Sequence, residues 1–151
     1  MSDAVRYRIV LDTNVIVGAG SRWVMTNPPA ALRDHFPSRI VYCVTTSHDG
    51  LVCDDILLEY AEKLEEFNHP PERIDRYIGY LVGACEDVRI ERFYCEPRPA
   101  DLDDTIFILC AINGNAHFLI SEDKHLLDLR NAYDPPKIRT REEMRQPLAL
   151  G

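Results

Sequence analysis

Arg8-Ile9-Val10-Leu11-Asp12-Thr13-Asn14-Val15-Ile16 is the stretch that decides how the rest of the chain is read. Its Ile-Val-Leu run is short, does not alternate with polar residues and stops at an acid. It therefore reads as a fully buried strand over Arg8 to Leu11. Asp12-Thr13-Asn14 are residues that end a strand and cap a helix, which then starts at Val15. An acid thus stands at the carboxyl end of a buried strand, where ligands gather in open α/β sheets.

Downstream, Gly18, Gly20 and Asn27-Pro28-Pro29 break the chain into a loop before a short helix expected over Ala30 to Phe36. The β-branched run Ile40 to Thr45 reads as a second strand and Ser47-His48-Asp49-Gly50 as a turn, with Leu51 to Cys53 either returning as a hairpin or leading into the next helix. Ile56, Leu57, Tyr60, Leu64 and Phe67 repeat on a helical period over Asp54 to Phe67. Ile74, Tyr77, Ile78, Leu81 and Val82 do the same in a helix from Pro71 to Cys85. Then come an expected strand over Val88 to Phe93, a connector at Glu96-Pro97-Arg98-Pro99 and an apolar helix from Thr105 to Asn113. A buried strand from His117 to Ser121 ends at Glu122-Asp123. A short helix from Lys124 to Leu129, a strand from Lys137 to Thr140 and a helical turn from Glu142 to Met144 close the chain. Strands alternating with helices imply an α/β domain with a mainly parallel central sheet between helices.

The 151 residues, 46% of them hydrophobic, are expected to form a single domain over residues 1–151. The five cysteines make no CxxC or Cys/His ligand spacing and read as reduced thiols of a cytoplasmic protein. The amino terminus lacks the apolar core of a signal peptide, and no apolar run approaches the roughly 20 residues that span a bilayer, so no membrane partner is expected. A formal charge of −8 speaks against tight, metal-free binding of nucleic acid. It does not speak against metal-assisted cleavage, because acids gathered around divalent cations reverse the local sign.

Asp12 and Asp123 follow apolar runs directly, Asp104 lies in the first turn of the helix before the second of those runs, and Glu59 sits one turn into a long helix, off its apolar stripe. Singly, each acid has a plainer role as a helix cap or a solvated side chain. Together they can converge on one sheet edge. Two ionised carboxylates 4 Å apart repel by about 4 kcal/mol at an effective dielectric near 20, so such a cluster calls for protons or cations. Hard oxygen donors suit Mg²⁺ or Mn²⁺, and the natural use of such ions is phosphodiester hydrolysis.

Four ordered segments carry a resemblance: Ile9 to Ile16, Asp55-Ile-Leu-Leu-Glu-Tyr60, Asp101-Leu-Asp-Asp-Thr-Ile-Phe107 and Phe118-Leu-Ile-Ser-Glu-Asp-Lys-His-Leu-Leu127. In this order they resemble the signature of PIN-domain nucleases, most closely the VapC-like bacterial branch of toxin components of toxin–antitoxin pairs. The resemblance implies a three-layer α/β/α sandwich. It also implies a metal-dependent endoribonuclease for single-stranded RNA, leaving a 3′-hydroxyl and a 5′-phosphate. Its catalytic and metal-binding acids fall on Asp12, Glu59, Asp104 and Asp123, with Mg²⁺ or Mn²⁺ as cofactor. Asp104 is preferred to Asp103 because it stands three before Phe107 and seven before Ala111, the family's spacing. Thr13 or Asn14 matches the small polar position that supports the site. Glu122 stands where the family usually has glycine, adding a charge that either joins the site or crowds it.

An antitoxin protein and a homodimer are the partners the resemblance implies, with Tyr77, Tyr80 and Leu81 as a candidate dimer contact. Candidate phosphate contacts are Arg22, Arg33, Arg39, Lys124, Lys137, Arg139 and Arg141, while His48, His69, His117 and His125 make no metal-ligand spacing. The competing reading is a catalytically weak PIN-fold module that pairs with a protein partner. An aspartyl phosphatase needs a second acid two residues after its nucleophile, and here that residue is Asn14.

Overall fold

In a computed structural model, residues 5–26, 32 and 34–151 are described. Arg8–Leu11 form strand β1, with Ile9 and Val10 wholly buried, and helix α1 (Thr13–Ala19) follows at once. A 3₁₀ turn (Arg22–Met25), helix α2 (Phe36–Ser47), strand β2 (Asp49–Val52), helix α3 (Asp54–Glu66) and helix α4 (Pro71–Ala84) come next. Strand β3 (Glu86–Asp87) is followed by a 3₁₀ turn (Leu102–Asp104) that runs into helix α5 (Thr105–Asn113). Strand β4 (Phe118–Ile120), helix α6 (Lys124–Leu127), strand β5 (Lys137–Arg139) and a last 3₁₀ turn (Glu142–Met144) complete the order.

The five strands are all parallel, in the order β3-β2-β1-β4-β5. Parallel neighbours require crossovers, and these are right-handed almost without exception. The chain moves from β1 outward to β2 and β3, which places α1 to α4 on one face. It then jumps back past β1 to β4 and β5, which places α5 and α6 on the other. The result is the three-layer α/β/α sandwich that the resemblance implies. Strand order reverses between β1 and β4, so their carboxyl ends open the crevice in which α/β proteins bind ligands.

Two buried tyrosines tie the helical layer to β1 and to the helix that follows Asp12. Tyr60 of α3 donates its hydroxyl proton to the Leu11 carbonyl, and Tyr77 of α4 donates to the Ile16 carbonyl at 2.9 Å. Tyr60→Phe keeps the ring and removes the donor to a buried carbonyl, for which a loss of roughly 1–3 kcal/mol is expected. Urea unfolding checks it: the midpoint should fall at an unchanged slope.

The sequence reading departs from the structure at three elements. Ile40 to Thr45, expected as a strand, lies inside α2. Its buried residues Ser38, Ile40, Val41, Val44 and Thr45 recur at helical spacing, and Thr45 donates its hydroxyl to the Val41 carbonyl at 2.8 Å. Packing here overrides the strand preference of β-branched residues. Asp49 and Gly50, expected in a turn, belong to β2, which excludes the hairpin and leads straight into α3. Gly50 serves close packing: a Cβ there would stand 2.8 Å from the Cys85 Sγ.

No residue of the strand expected over Val88 to Phe93 is in a strand; β3 is Glu86–Asp87, just before it. Beyond Val88, whose N–H still reaches the Val52 carbonyl, the Asn113 side chain takes over, accepting from the Glu91 and Arg92 N–H groups. Asn27-Pro28-Pro29 of the expected loop, and Ala30, Ala31 and Arg33 of the helix expected over Ala30 to Phe36, fall outside the described residues, while Phe36 begins α2. Tyr77 and Leu81 are core residues and offer no dimer contact, and Tyr80 is half-buried with its hydroxyl on Thr45. No cysteine is paired in a disulfide, and among the described residues no helix is long and apolar enough to cross a membrane.

Candidate functional site

At the β1–β4 crevice a cleft of about 500 Å³ is lined by Asp12, Thr13, Asn14, Glu59, Asp101, Asp103, Asp104 and Asp123, and also by Val17, Gly18, Lys63 and Phe67. Six carboxylates thus face one cleft beside a single lysine. This accounts for part of the chain's negative charge by location, and it answers the objection that the charge raised.

Asp12 is the most constrained of the six, only 3% exposed. It begins α1 as an N-cap, its Oδ1 accepting the Thr13 N–H at 2.7 Å, while Oδ2 accepts the Ser121 hydroxyl at 2.6 Å. Burial pushes its pKa up to about 6; the bonds from Ser121 and Thr13 oppose the rise, and Asp123 and Glu59 add to it. Ser121 in turn accepts the Asp123 N–H at 2.9 Å, so one wholly buried hydroxyl fixes the ends of both β1 and β4. Sequence reasoning did not count Ser121 as a site residue. Its signal is its place directly before Glu122, where the resemblance expects glycine, and two before Asp123.

Asp104 closes the 3₁₀ turn before α5 and stands at that helix's N-cap without making a capping bond. Its Oδ2 is buried and has no hydrogen-bond partner among the described residues. Burial, then Asp123 and Asp12, push its pKa up to about 7. Its neighbour Asp103 is exposed, and its charge is felt instead by Glu59. Asp101, which was not singled out, holds the turn by accepting the Asp103 N–H at 3.0 Å and also faces the cleft. Asp123 N-caps α6 through Oδ1, accepting the His125 N–H at 2.7 Å. The capping roles and the shared cleft therefore coexist in the same residues.

Glu59 enters from α3 on the opposite rim, its pKa raised chiefly by burial and held back by Lys63, one turn further along. Thr13 contributes a buried hydroxyl that has no partner, and the Asn14 Oδ1 accepts the Glu122 N–H at 3.3 Å. Glu122 itself is not in the cleft. Its Oε1 accepts from the Arg141 backbone N–H at 2.8 Å and from Nε at 3.1 Å. That pair holds the guanidinium over Gly18 at the cleft's edge, where an added Cβ would meet the Arg141 Nη1 at 2.7 Å. Of the other candidate cations, Arg39 is turned to the Leu150 carbonyl and Arg139 to the Ile138 carbonyl.

Among the described residues, no three His, Cys, Asp or Glu side chains are grouped closely enough to hold an ion as they stand. The donor set fits a hard divalent cation nonetheless. All of it is carboxylate or hydroxyl oxygen, and two buried members, the Asp104 Oδ2 and the Thr13 Oγ1, lack any partner among the described residues.

No curated protein matches the chain. A family model described as the PIN domain matches residues 8–125, which takes in β1 through the start of α6 and every carboxylate of the cleft. The chain belongs to the PIN-domain family, whose members are generally nucleases that act on nucleic acid with divalent metals.

Proposed function

We propose that this PIN-domain chain is a metal-dependent endoribonuclease that hydrolyses single-stranded RNA, and that residues 1–151 act as one domain. The observation that carries the reading is the unpartnered, buried Asp104 Oδ2 beside Asp12 and Asp123 at the strand-order reversal. Asp12, Asp104 and Asp123 would hold Mg²⁺ or Mn²⁺, with Glu59 across the cleft as fourth acid. When bound, the cation supplies a Lewis acid for a phosphoryl oxygen.

The chain's own residues do the rest. Ser121 and the Thr13 N–H lock the Asp12 carboxylate, so its charge faces the cleft without rearrangement. Glu59, with its pKa raised by burial, is suited to take the proton of the attacking water. The water oxygen bonds to phosphorus as the P–O3′ bond breaks, leaving a 5′-phosphate, and the departing 3′ oxygen takes up a proton. Arg141, held by Glu122 at the rim, is placed to meet a backbone phosphate.

The test is cleavage of single-stranded RNA, double-stranded RNA and single-stranded DNA by protein freed of metal. Cleavage of the first is expected only on adding Mg²⁺ or Mn²⁺. Cleavage undiminished by a chelator, or none with either ion, would refute the reading. A toxin role, an antitoxin protein that restrains it, a homodimer and a cytoplasmic location belong to the same proposal. Growth arrest on expression, relieved by the product of an adjoining small reading frame, is the corresponding test.

A further inference from the structure

A second pocket, about 360 Å³, lies on the other side of the last turn of α1 from the carboxylate cleft. Val17 and Gly18 border the cleft, and Ala19 and Gly20 border this pocket. The α3–α4 corner is shared in the same way, with Phe67 facing the cleft and His69 the pocket. The two hollows therefore adjoin along both walls, yet their chemistry is opposite.

The pocket presents Arg22, Arg73, His35, His69 and the hydroxyls of Ser21 and Ser38, and among the described residues no carboxylate lines it. Arg22 and Arg73 make no ion pair among the described residues. The hydroxyls belong to buried side chains, Ser21 1% and Ser38 3% exposed, and each is set against an imidazole. Ser21 Oγ lies 2.6 Å from His69 Nδ1 and Ser38 Oγ 2.7 Å from His35 Nδ1. Ser38 also donates to the Ala19 carbonyl at 2.8 Å, so the shared proton between it and His35 sits on Nδ1. Burial, and then the Arg73 charge, lower the pKa of His69. Phe67, an aromatic ring 64% exposed at the C-cap of α3, lines the cleft two residues before His69 lines the pocket.

A chain of alternating charged linkages and flat bases has the same order of chemistry. We propose that the pocket binds a phosphate of the RNA strand next to the linkage held in the carboxylate cleft, with Phe67 stacking on the base between them; this rests on the ribonuclease reading above. Single strands are held in this way elsewhere, by cationic grooves that track the backbone and aromatic rings that take the bases. The arginines draw the strand toward a cleft whose own acids would otherwise repel it.

The test uses the full chain with Mn²⁺ and a short single-stranded RNA in which one phosphate at a time is made a neutral methylphosphonate. In wild type, a single position beside the cleaved linkage should raise KM about tenfold with kcat within about twofold, and Arg22→Gln/Arg73→Gln should raise KM to the same degree and erase the positional effect. Phe67→Ala should raise KM about tenfold and Phe67→Trp restore it. Inorganic phosphate should shift the His69 ring resonances by NMR in wild type and not in the double arginine variant.

Wild-type cleavage with a flat methylphosphonate scan and an unchanged KM in the arginine variant would overturn the inference and leave the ribonuclease reading standing. A phosphate-responsive His69 in a protein that neither binds nor cleaves RNA would overturn the strand assignment together with that reading, keeping only an anion pocket.

Discussion

Asp12→Asn and Asp104→Asn should each lower Mn²⁺-dependent cleavage of single-stranded RNA by about a thousandfold or more, a barrier increase of about 4 kcal/mol. Both changes keep the side chain's size and remove one charge from the cleft, but they differ in what else they disturb. The two oxygens of Asp12 already accept from the Thr13 N–H and the Ser121 hydroxyl. An amide there turns a donor toward one of them, so Asp12→Asn also loosens the join between β1 and β4. Asp104 makes no such bond, and its Oδ2 has no partner among the described residues. Asp104→Asn is therefore the cleaner removal of a donor. Calorimetric titration with Mn²⁺ should show heat in wild type and little in either variant, while both retain the wild-type far-ultraviolet dichroism. Two variants that cleave within about threefold of wild type at saturating Mn²⁺ would leave the carboxylates without the role proposed for them.

The parts of this fold that the sequence made legible are those whose signal is local. The run before Asp12 and the run before Ser121 became β1 and β4, and the helical periods over Asp54 to Phe67 and Pro71 to Cys85 became α3 and α4 to within a residue. The misreadings share one cause, a residue whose local preference yields to a distant neighbour. Val41 and Val44 are β-branched but helical, because α2 packs on α1. Gly50 looks like a turn residue and is a strand residue, because Cys85 crowds it from the end of α4. The strand expected over Val88 to Phe93 does not form, because a single asparagine from α5 takes the Glu91 and Arg92 N–H groups.

The candidate site divides along the same line. Order along the chain brought Asp12, Glu59, Asp104 and Asp123 forward as a set, and one cleft receives all four. The bond from Ser121 to Asp12, across 109 positions, has no local signature, and neither has the pairing of Glu122 with Arg141, which takes that acid out of the cleft.

The same carboxylates should make the protein's stability depend on pH and on divalent cations in a way that a structural acid cluster tied to arginines would not. The pKa values of Asp12 and Asp104 stand at about 6 and about 7, above their ordinary 3.8, so the folded chain binds more protons than the unfolded chain between these limits. Their contribution to stability is then fully present below about pH 4 and is lost as pH rises through 6 and 7. For buried Asp12 the shift corresponds to about 3 kcal/mol; Asp104 is more open to solvent and contributes less than its shift alone implies. At this chain length each kcal/mol moves Tm by roughly 2–4 °C.

Metal-free wild type should therefore melt several degrees higher at pH 5 than at pH 7.5. Mn²⁺ should restore the difference at pH 7.5 and do little at pH 5, where protons compete for the same oxygens. His48 and His69, pushed below their ordinary value chiefly by burial, act in the opposite sense as pH falls. Comparison with Asp104→Asn isolates the cleft, since those histidines are common to both proteins. The variant should melt higher than wild type at pH 7.5 without metal, lose part of the wild type's pH dependence and gain little from Mn²⁺. A variant less stable than wild type in metal-free buffer at pH 7.5 would mean that the Asp104 charge is compensated within the protein, and that the cleft has no need of a cation.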